Sequence, residues 1–203
     1  MASKARCPDF LGIGSTRAGS SWLHYVLTAH PDIWISPVKE LHYYDRPMNG
    51  KRTILKDPIR CKWRMTSYLK GKYDFNNDGF LNCIAWDFKY CLKKRSEKWY
   101  KELFSKAGKR AAGEVTPAYA ILDESTIAQI AANNSELRAV YLLRHPIERG
   151  WSTIVNNLAK KRKRSINMAS EQDMLSKIDE PGFLARSNYA NNIRKWRSVI
   201  GED

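Results

Sequence analysis

Apolar positions along the chain gather into short runs separated by longer stretches of helical periodicity, and this alternation predicts most of the architecture. Phe10–Ile13, Ile33–Ser36, Ala111–Val115 and Arg138–Leu143 read as strands, the last as a buried parallel strand. Helices are expected to begin near Ser20 and to cover Glu97–Ala107, Glu124–Asn133 and Pro146–Ala159. Pro146 suits a first helical turn, where its missing N–H leaves no bond unmade. Pro117 disfavours helix at Thr116, so the third strand should end there with its last residues at a cleft rim. Strand and helix in alternation imply an α/β fold with a central parallel sheet flanked by helices.

Residues 46–95 break the pattern. They are rich in Lys, Arg, Tyr, Trp and Asn, carry turn signals at Asn49-Gly50 and Asp78-Gly79, and are expected to form an irregular or short-helical insertion. No internal repeat is visible. Trp22, Trp151 and Trp196 fall at helical positions and are expected in the core, with Trp22 close enough to the first turn to serve there too.

Composition narrows the class. A chain of 203 residues, 43% hydrophobic, can bury one substantial core, so a single domain spanning 1–203 is expected. The amino terminus lacks the apolar segment of a secretory signal and no later run is long enough to span a bilayer. Cys7, Cys61, Cys83 and Cys91 lack zinc-site spacing, so reduced thiols in a cytoplasmic setting are expected, with Cys83–Cys91 as the alternative pairing.

The chemistry begins where the first strand meets a Gly-rich turn, Gly14-Ser15-Thr16-Arg17-Ala18-Gly19-Ser20-Ser21-Trp22. Gly14 and Gly19 can take backbone angles closed to other residues, letting successive N–H groups converge on an anion at the positive end of the next helix. A nucleoside triphosphatase needs Lys where Ser20 stands, to meet the β- and γ-phosphates. The loop's one cation is Arg17, inside the turn, which suits a phosphate bound without a triphosphate–metal complex. The strand Arg138–Leu143 runs into Arg144 where a metal-binding strand would end in Asp, and Ser152 lies two turns into the following helix. A ligand with two separated phosphate-like groups fits this pair of anchors.

With these segments in hand, the chain resembles the sulfotransferases that use 3′-phosphoadenosine 5′-phosphosulfate (PAPS), in particular the branch of heparan sulfate and bacterial enzymes. In that family a Gly-rich loop holds the 5′-phosphosulfate and an R-x-P-x-x-R-x-x-S element holds the 3′-phosphate, here Arg144-His145-Pro146-Ile147-Glu148-Arg149-Gly150-Trp151-Ser152. Two further signatures stand in order, His30-Pro31-Asp32-Ile33 leading to Lys39-Glu40-Leu41-His42-Tyr43-Tyr44-Asp45, and Gly113-Glu114-Val115-Thr116-Pro117-Ala118-Tyr119. The resemblance implies a P-loop-like three-layer fold and in-line sulfuryl transfer without metal, to a hydroxyl or amine of an acceptor such as an acidic glycan or a small alcohol. It assigns Glu40 as base, with His42 as rival base or as the group that orients it, and Lys39 as a second cation near the sulfuryl oxygens. Glu114, Thr116 and Tyr119 would position the acceptor or form a buried turn.

Two departures stand out. The family carries Lys at the position of Arg17, which keeps the charge but stays protonated and so stabilises electrostatically only. The chain also stops soon after Ser187-Asn188-Tyr189 and Trp196, where family members continue, so either a short, divergent member or a missing C-terminal portion is expected. A net charge of +14 and a pI near 9.7 point to an anionic partner, for which PAPS accounts only in part. The run Lys160-Lys161-Arg162-Lys163-Arg164 is either a solvated helix end or a landing strip for a glycan or nucleic acid. A non-catalytic nucleotide or nucleic-acid binding module, and a divergent P-loop kinase, remain the competing readings.

Overall fold

The computed structural model describes residues 5–46, 61–62, 64–66, 80–162, 170–180 and 182–201. In chain order it contains β1 (Phe10–Gly14), α1 (Ser20–Thr28), β2 (Ile33–Ile35), α2 (Phe80–Leu92), α3 (Glu97–Leu103), β3 (Ala111–Val115), α4 (Glu124–Asn133), β4 (Arg138–Tyr141), α5 (Pro146–Arg162), α6 (Glu171–Ile178) and α7 (Tyr189–Ile200). The four strands form one parallel sheet in the order β2-β3-β1-β4. Phe10 is in register with both Gly113 and Arg138, so β1 lies at the centre and its carboxyl end opens between the ends of β3 and β4. Ligands of open parallel sheets bind outside that edge.

Several predicted boundaries move for identifiable reasons. The helix expected to reach Ala107 ends at Leu103, because Phe104 leaves helical angles and Ser105–Ala107 tighten into a 3₁₀ turn closed by Gly108 at φ 63°. The strand predicted to reach Leu143 stops at Tyr141, where the β1–β4 register shifts between Gly12 and Gly14. Bonds from Leu142 N–H to the Gly14 carbonyl (2.8 Å) and from Ser15 N–H to the Leu142 carbonyl (2.8 Å) still tie the two exits together. The helix predicted to end at Ala159 continues to Arg162 through three basic residues favoured at a helix carboxyl end. Lys163 and Arg164 lie outside the described residues, as do both turn signals of the 46–95 segment. Within that segment, Phe80–Leu92 is a regular helix of 13 residues.

The described core has two parts. One gathers Trp34, Trp86, Trp99, Tyr100, Leu103 and Phe104 with Leu41 and Val38. The other gathers Leu11, Ile13, Tyr119, Ile127, Ile130 and Trp196, and Tyr44 packs against both. Trp196 is core as predicted, but Trp22 and Trp151 are 64% and 52% exposed, because α1 and α5 turn those positions away from the sheet.

The expectation of four reduced thiols is also corrected. Cys61 and Cys91 are joined by a disulfide, while Cys7 and Cys83 are free. Cys83 and Cys91 stand eight residues apart on α2. At about 1.5 Å of rise per residue they are separated by well over the Cα distance a disulfide can bridge. The bonded pair has its Cα atoms 5.9 Å apart. Among the described residues no helix is long and apolar enough to cross a membrane.

Candidate active site

The loop leaving β1 is shaped by two glycines with different duties. A Cβ on Gly14 would come within 2.3 Å of Tyr141 and 2.8 Å of Ala120, so only glycine allows the close approach of β1 to its neighbours there. Gly19 sits at φ 97° as the residue before α1, in a region that side chains disfavour. It leaves α1 with no side-chain cap and no acidic residue in its first turn. The first N–H groups of α1 therefore meet no capping side chain, and the helix dipole makes this end electropositive.

Arg17 and Arg144 meet beside this helix end. Arg17 Nε donates to Ser152 Oγ (3.0 Å), and Arg144 Nη1 donates to the Arg17 carbonyl (3.2 Å), so the two anchors found 127 residues apart in sequence meet directly. The Tyr189 hydroxyl donates to the Arg144 carbonyl (2.8 Å), and Glu148 accepts from Arg144 Nε (3.2 Å). The other arginine of the motif plays a different part. Arg149 is fully buried and donates to Ser187 Oγ (2.8 Å), Thr153 Oγ1 (3.3 Å) and the Phe183 carbonyl (3.0 Å). It fastens the turn at 183–187 to α5 and does not face the ligand side.

Across the sheet edge, the loop leaving β2 carries Lys39, Glu40, His42 and Asp45. Lys39 Nζ meets Glu40 Oε1 at 2.5 Å, His42 Nε2 stands 3.5 Å from Glu40 Oε2, and His42 Nδ1 is 2.7 Å from Asp45 Oδ2. These contacts lower the Glu40 pKa to about 2, His42 contributing most and Lys39 next, against an upward push from burial. The loop thus holds the Glu40 carboxyl well below the ordinary carboxylate range. Burial opposes charge on His42, yet hydrogen bonds to Asp45 and Glu40 raise its pKa above the ordinary value.

An extended segment would bring Glu40 and His42 to one side by simple alternation, but the loop is not extended. Glu40 has φ 64° and His42 φ 53°. With Arg17 at φ 67°, these are the only non-glycine residues in the left-handed region among those described. Strain of this kind gathers at functional sites and persists where surrounding contacts over-determine it. Here the contacts are Arg95, whose guanidinium donates to the His42 carbonyl and lies 5.4 Å over the Tyr43 ring, and Arg64, which reaches the Pro37 carbonyl at 3.3 Å.

A cavity of about 510 Å³ joins the two loops. Thr16, Arg17, Gly19, Ser20 and Ser21 line it from the first loop, and Lys39 and Glu40 from the second. Arg144 and Ser152 close the third side with Asn156 and Pro117, neither of which was anticipated. Asn156 is one helical turn beyond Ser152, a spacing that would have identified it. Asp45, which holds His42, is legible as the last residue of the E-x-H-x-x-D segment. Thr16 Oγ1 is buried without a hydrogen-bond partner, a donor left over in the wall of the cavity. Gly14, Ser15, Ala18 and Trp22 shape or flank the loop without lining this cavity, and His42 stands behind Glu40.

Glu114, Thr116 and Tyr119 are all fully buried. The Glu114 carboxylate accepts from the hydroxyls of Tyr100 (2.5 Å), Thr116 (2.6 Å) and Tyr119 (3.1 Å). Burial raises its pKa and these hydrogen bonds oppose the rise. The structure therefore places this trio beneath the cleft, with Pro117 alone of that segment on its wall.

No protein-family model matches the chain, and no curated protein does. Among solved structures it is similar in fold to a sulfotransferase from Alicyclobacillus acidocaldarius, with a TM-score of 0.60, 24% sequence identity, and coverage of 97% of this chain and 70% of that one. The parallel sheet flanked by helices is thus the sulfotransferase fold.

Proposed function

We propose that this chain is a PAPS-dependent sulfotransferase acting on a hydroxyl or amine of an acceptor. The observation that carries the reading is the single cavity that sets an uncapped helix amino terminus, Arg17 and Arg144 against the carboxylate of Glu40. Helix N–H groups and two arginines suit a ligand with two phosphate-like groups, and the unpartnered Thr16 hydroxyl offers it a further donor. Bound there, PAPS supplies an activated sulfuryl group on a phosphate leaving group.

Within that arrangement Arg144 and Ser152 hold the 3′-phosphate, and residues 16–21 hold the 5′-end. Lys39, once drawn toward anionic oxygens in the cleft, releases Glu40 Oε1 and removes one of the two groups that depress its pKa. Glu40 then accepts the acceptor's proton as the new bond to sulfur forms. Arg17 meets the negative charge that grows on the departing phosphate oxygen as the old bond to sulfur breaks. His42, fixed by Asp45, keeps Glu40 aimed. A net charge of +14 favours an acidic acceptor such as a glycan over a neutral alcohol. A cytoplasmic setting belongs to this reading if Cys61 and Cys91 are found reduced in rapidly quenched cells, since disulfides persist in oxidising compartments.

Nucleotide binding without transfer is the second reading, and one observation favours it: Lys39 and His42 hold Glu40 at about 2, far below a useful base. Incubation of the protein with PAPS and a panel of glycan, alcohol and amine acceptors separates the two. Sulfated product and stoichiometric adenosine 3′,5′-bisphosphate support transfer. Nucleotide bound without product from any acceptor supports the second.

A further inference from the structure

We propose that Glu114, acting through Tyr119, is a positioning group that fixes the backbone of residues 40–44 and so aims Glu40 and His42; neither residue contacts the acceptor. This assignment rests on the reading of Glu40 as the base, and it replaces the acceptor role that the motif suggested for the pair.

The argument starts from where the N–H groups of the loop go. Glu40 N–H donates to the Val115 carbonyl at 2.9 Å. Leu41 N–H reaches the Glu114 carboxylate. Tyr43 N–H donates to the Tyr119 hydroxyl at 2.8 Å, and Tyr44 N–H engages the same hydroxyl. Four of the five successive amides from 40 to 44 are thus met by the last residues of β3 and the turn after it. Leu41, whose amide Glu114 holds, is the residue between the two left-handed positions.

The partners themselves have no freedom to respond to a ligand. Glu114, Thr116 and Tyr119 have no exposed surface, and Tyr100 only 1%. Tyr119 donates to Glu114 while accepting from the loop, so its hydroxyl is oriented by the carboxylate behind it. Tyr100 stacks on Tyr43 at 4.1 Å between ring centroids, and Tyr44 meets Tyr119 edge to face at 5.5 Å. The loop is thus held both through its amides and through the rings of Tyr43 and Tyr44. Residues with strained φ survive where surroundings over-determine them, and Glu114 is the carboxylate on which the Tyr100, Thr116 and Tyr119 hydroxyls and the Leu41 amide converge behind this loop.

Tyr119→Phe removes the hydroxyl and keeps the ring in the core; Glu114→Gln keeps the shape and removes the charge. Turnover should fall about 10- to 100-fold in either variant, the scale expected when a reacting group is misplaced by up to about 1 Å. Calorimetric affinity for adenosine 3′,5′-bisphosphate should stay within about twofold, because the first loop and Arg144 are untouched. The pKa of His42, read by NMR, should drop as its contacts with Glu40 and Asp45 loosen. Tyr119→Phe keeps the test decisive if Glu114→Gln fails to fold. An unchanged turnover and an unchanged His42 titration would overturn the proposal, as would a rise in acceptor KM alone, which would mark a direct acceptor contact. A shifted His42 titration in a protein whose Glu40→Gln variant still transfers would retain the positioning role and refute Glu40 as base.

Discussion

The loops that follow β1 and β2 both place strained residues at the carboxyl edge of the same sheet, but they are held by opposite means. The first is a contiguous stretch that presents backbone N–H groups and the exposed Arg17, which meets Ser152 and Arg144. The second depends on side chains from β3, the turn after it, α3 and the α2–α3 connection, nearly all buried, that reach it from behind. An anion site can be assembled from a short loop because glycine geometry and a helix terminus are local properties. A carboxylate held in one orientation needs a surrounding structure.

If this division is correct, the two loops can be disabled separately. Glu40→Gln should lower sulfuryl transfer by about 10²- to 10⁴-fold, the range of general-base contributions, while calorimetric affinity for the bisphosphate product is unchanged. Arg144→Ala should do the reverse in binding, weakening that affinity by roughly 10- to 150-fold through loss of about 1.5–3 kcal/mol of charged hydrogen bonding. Arg149 belongs to neither loop. Its replacement by Met should cost about 2–4 kcal/mol in urea-monitored unfolding, because Ser187 and the Phe183 carbonyl lose buried partners.

The pH response sharpens the account of the second loop. Glu40 has a folded pKa of about 2, below its unfolded value, so its share of stability is present above pH about 4.3 and fades as pH falls toward 2. His42 has a raised folded pKa, so its share is full below pH about 6.5 and is lost as pH rises through the folded value. The difference in melting temperature between the native chain and His42→Gln should therefore peak between about pH 4.5 and 6.5. The smallest effect concerns Arg17. Arg17→Lys should alter turnover by only a few-fold, upward if proton donation to the leaving group matters, since Lys can lose its proton and Arg cannot.

What could be read from the sequence follows the same division. Glycines, Arg17, Arg144 and Ser152 stand in short motifs whose spacing already states their geometry, and the four strands declare themselves by apolar runs. Strand and helix ends moved where the tertiary environment decided them, as at Leu103, where the chain tightens to place Phe104 in the core. For Glu114 the sequence leaves open an acceptor-positioning role and a buried turn, because a motif gives order along the chain and not depth beneath a surface. Arg95 and Arg64 carried no signal, since their role is to cap carbonyls of a loop more than twenty residues away. Cys61 and Cys91 could not be paired from spacing alone, although helical rise would have excluded Cys83 as the partner of Cys91.

The central claim is that one cleft binds a nucleotide carrying both a 3′-phosphate and a 5′-phosphate. Calorimetric titration with adenosine 3′,5′-bisphosphate, beside 5′-AMP and ATP with magnesium, tests it most directly. The account predicts binding that requires the 3′-phosphate and is weakened in Arg144→Ala. Equal affinity for 5′-AMP, or tighter binding of ATP with magnesium, would contradict it.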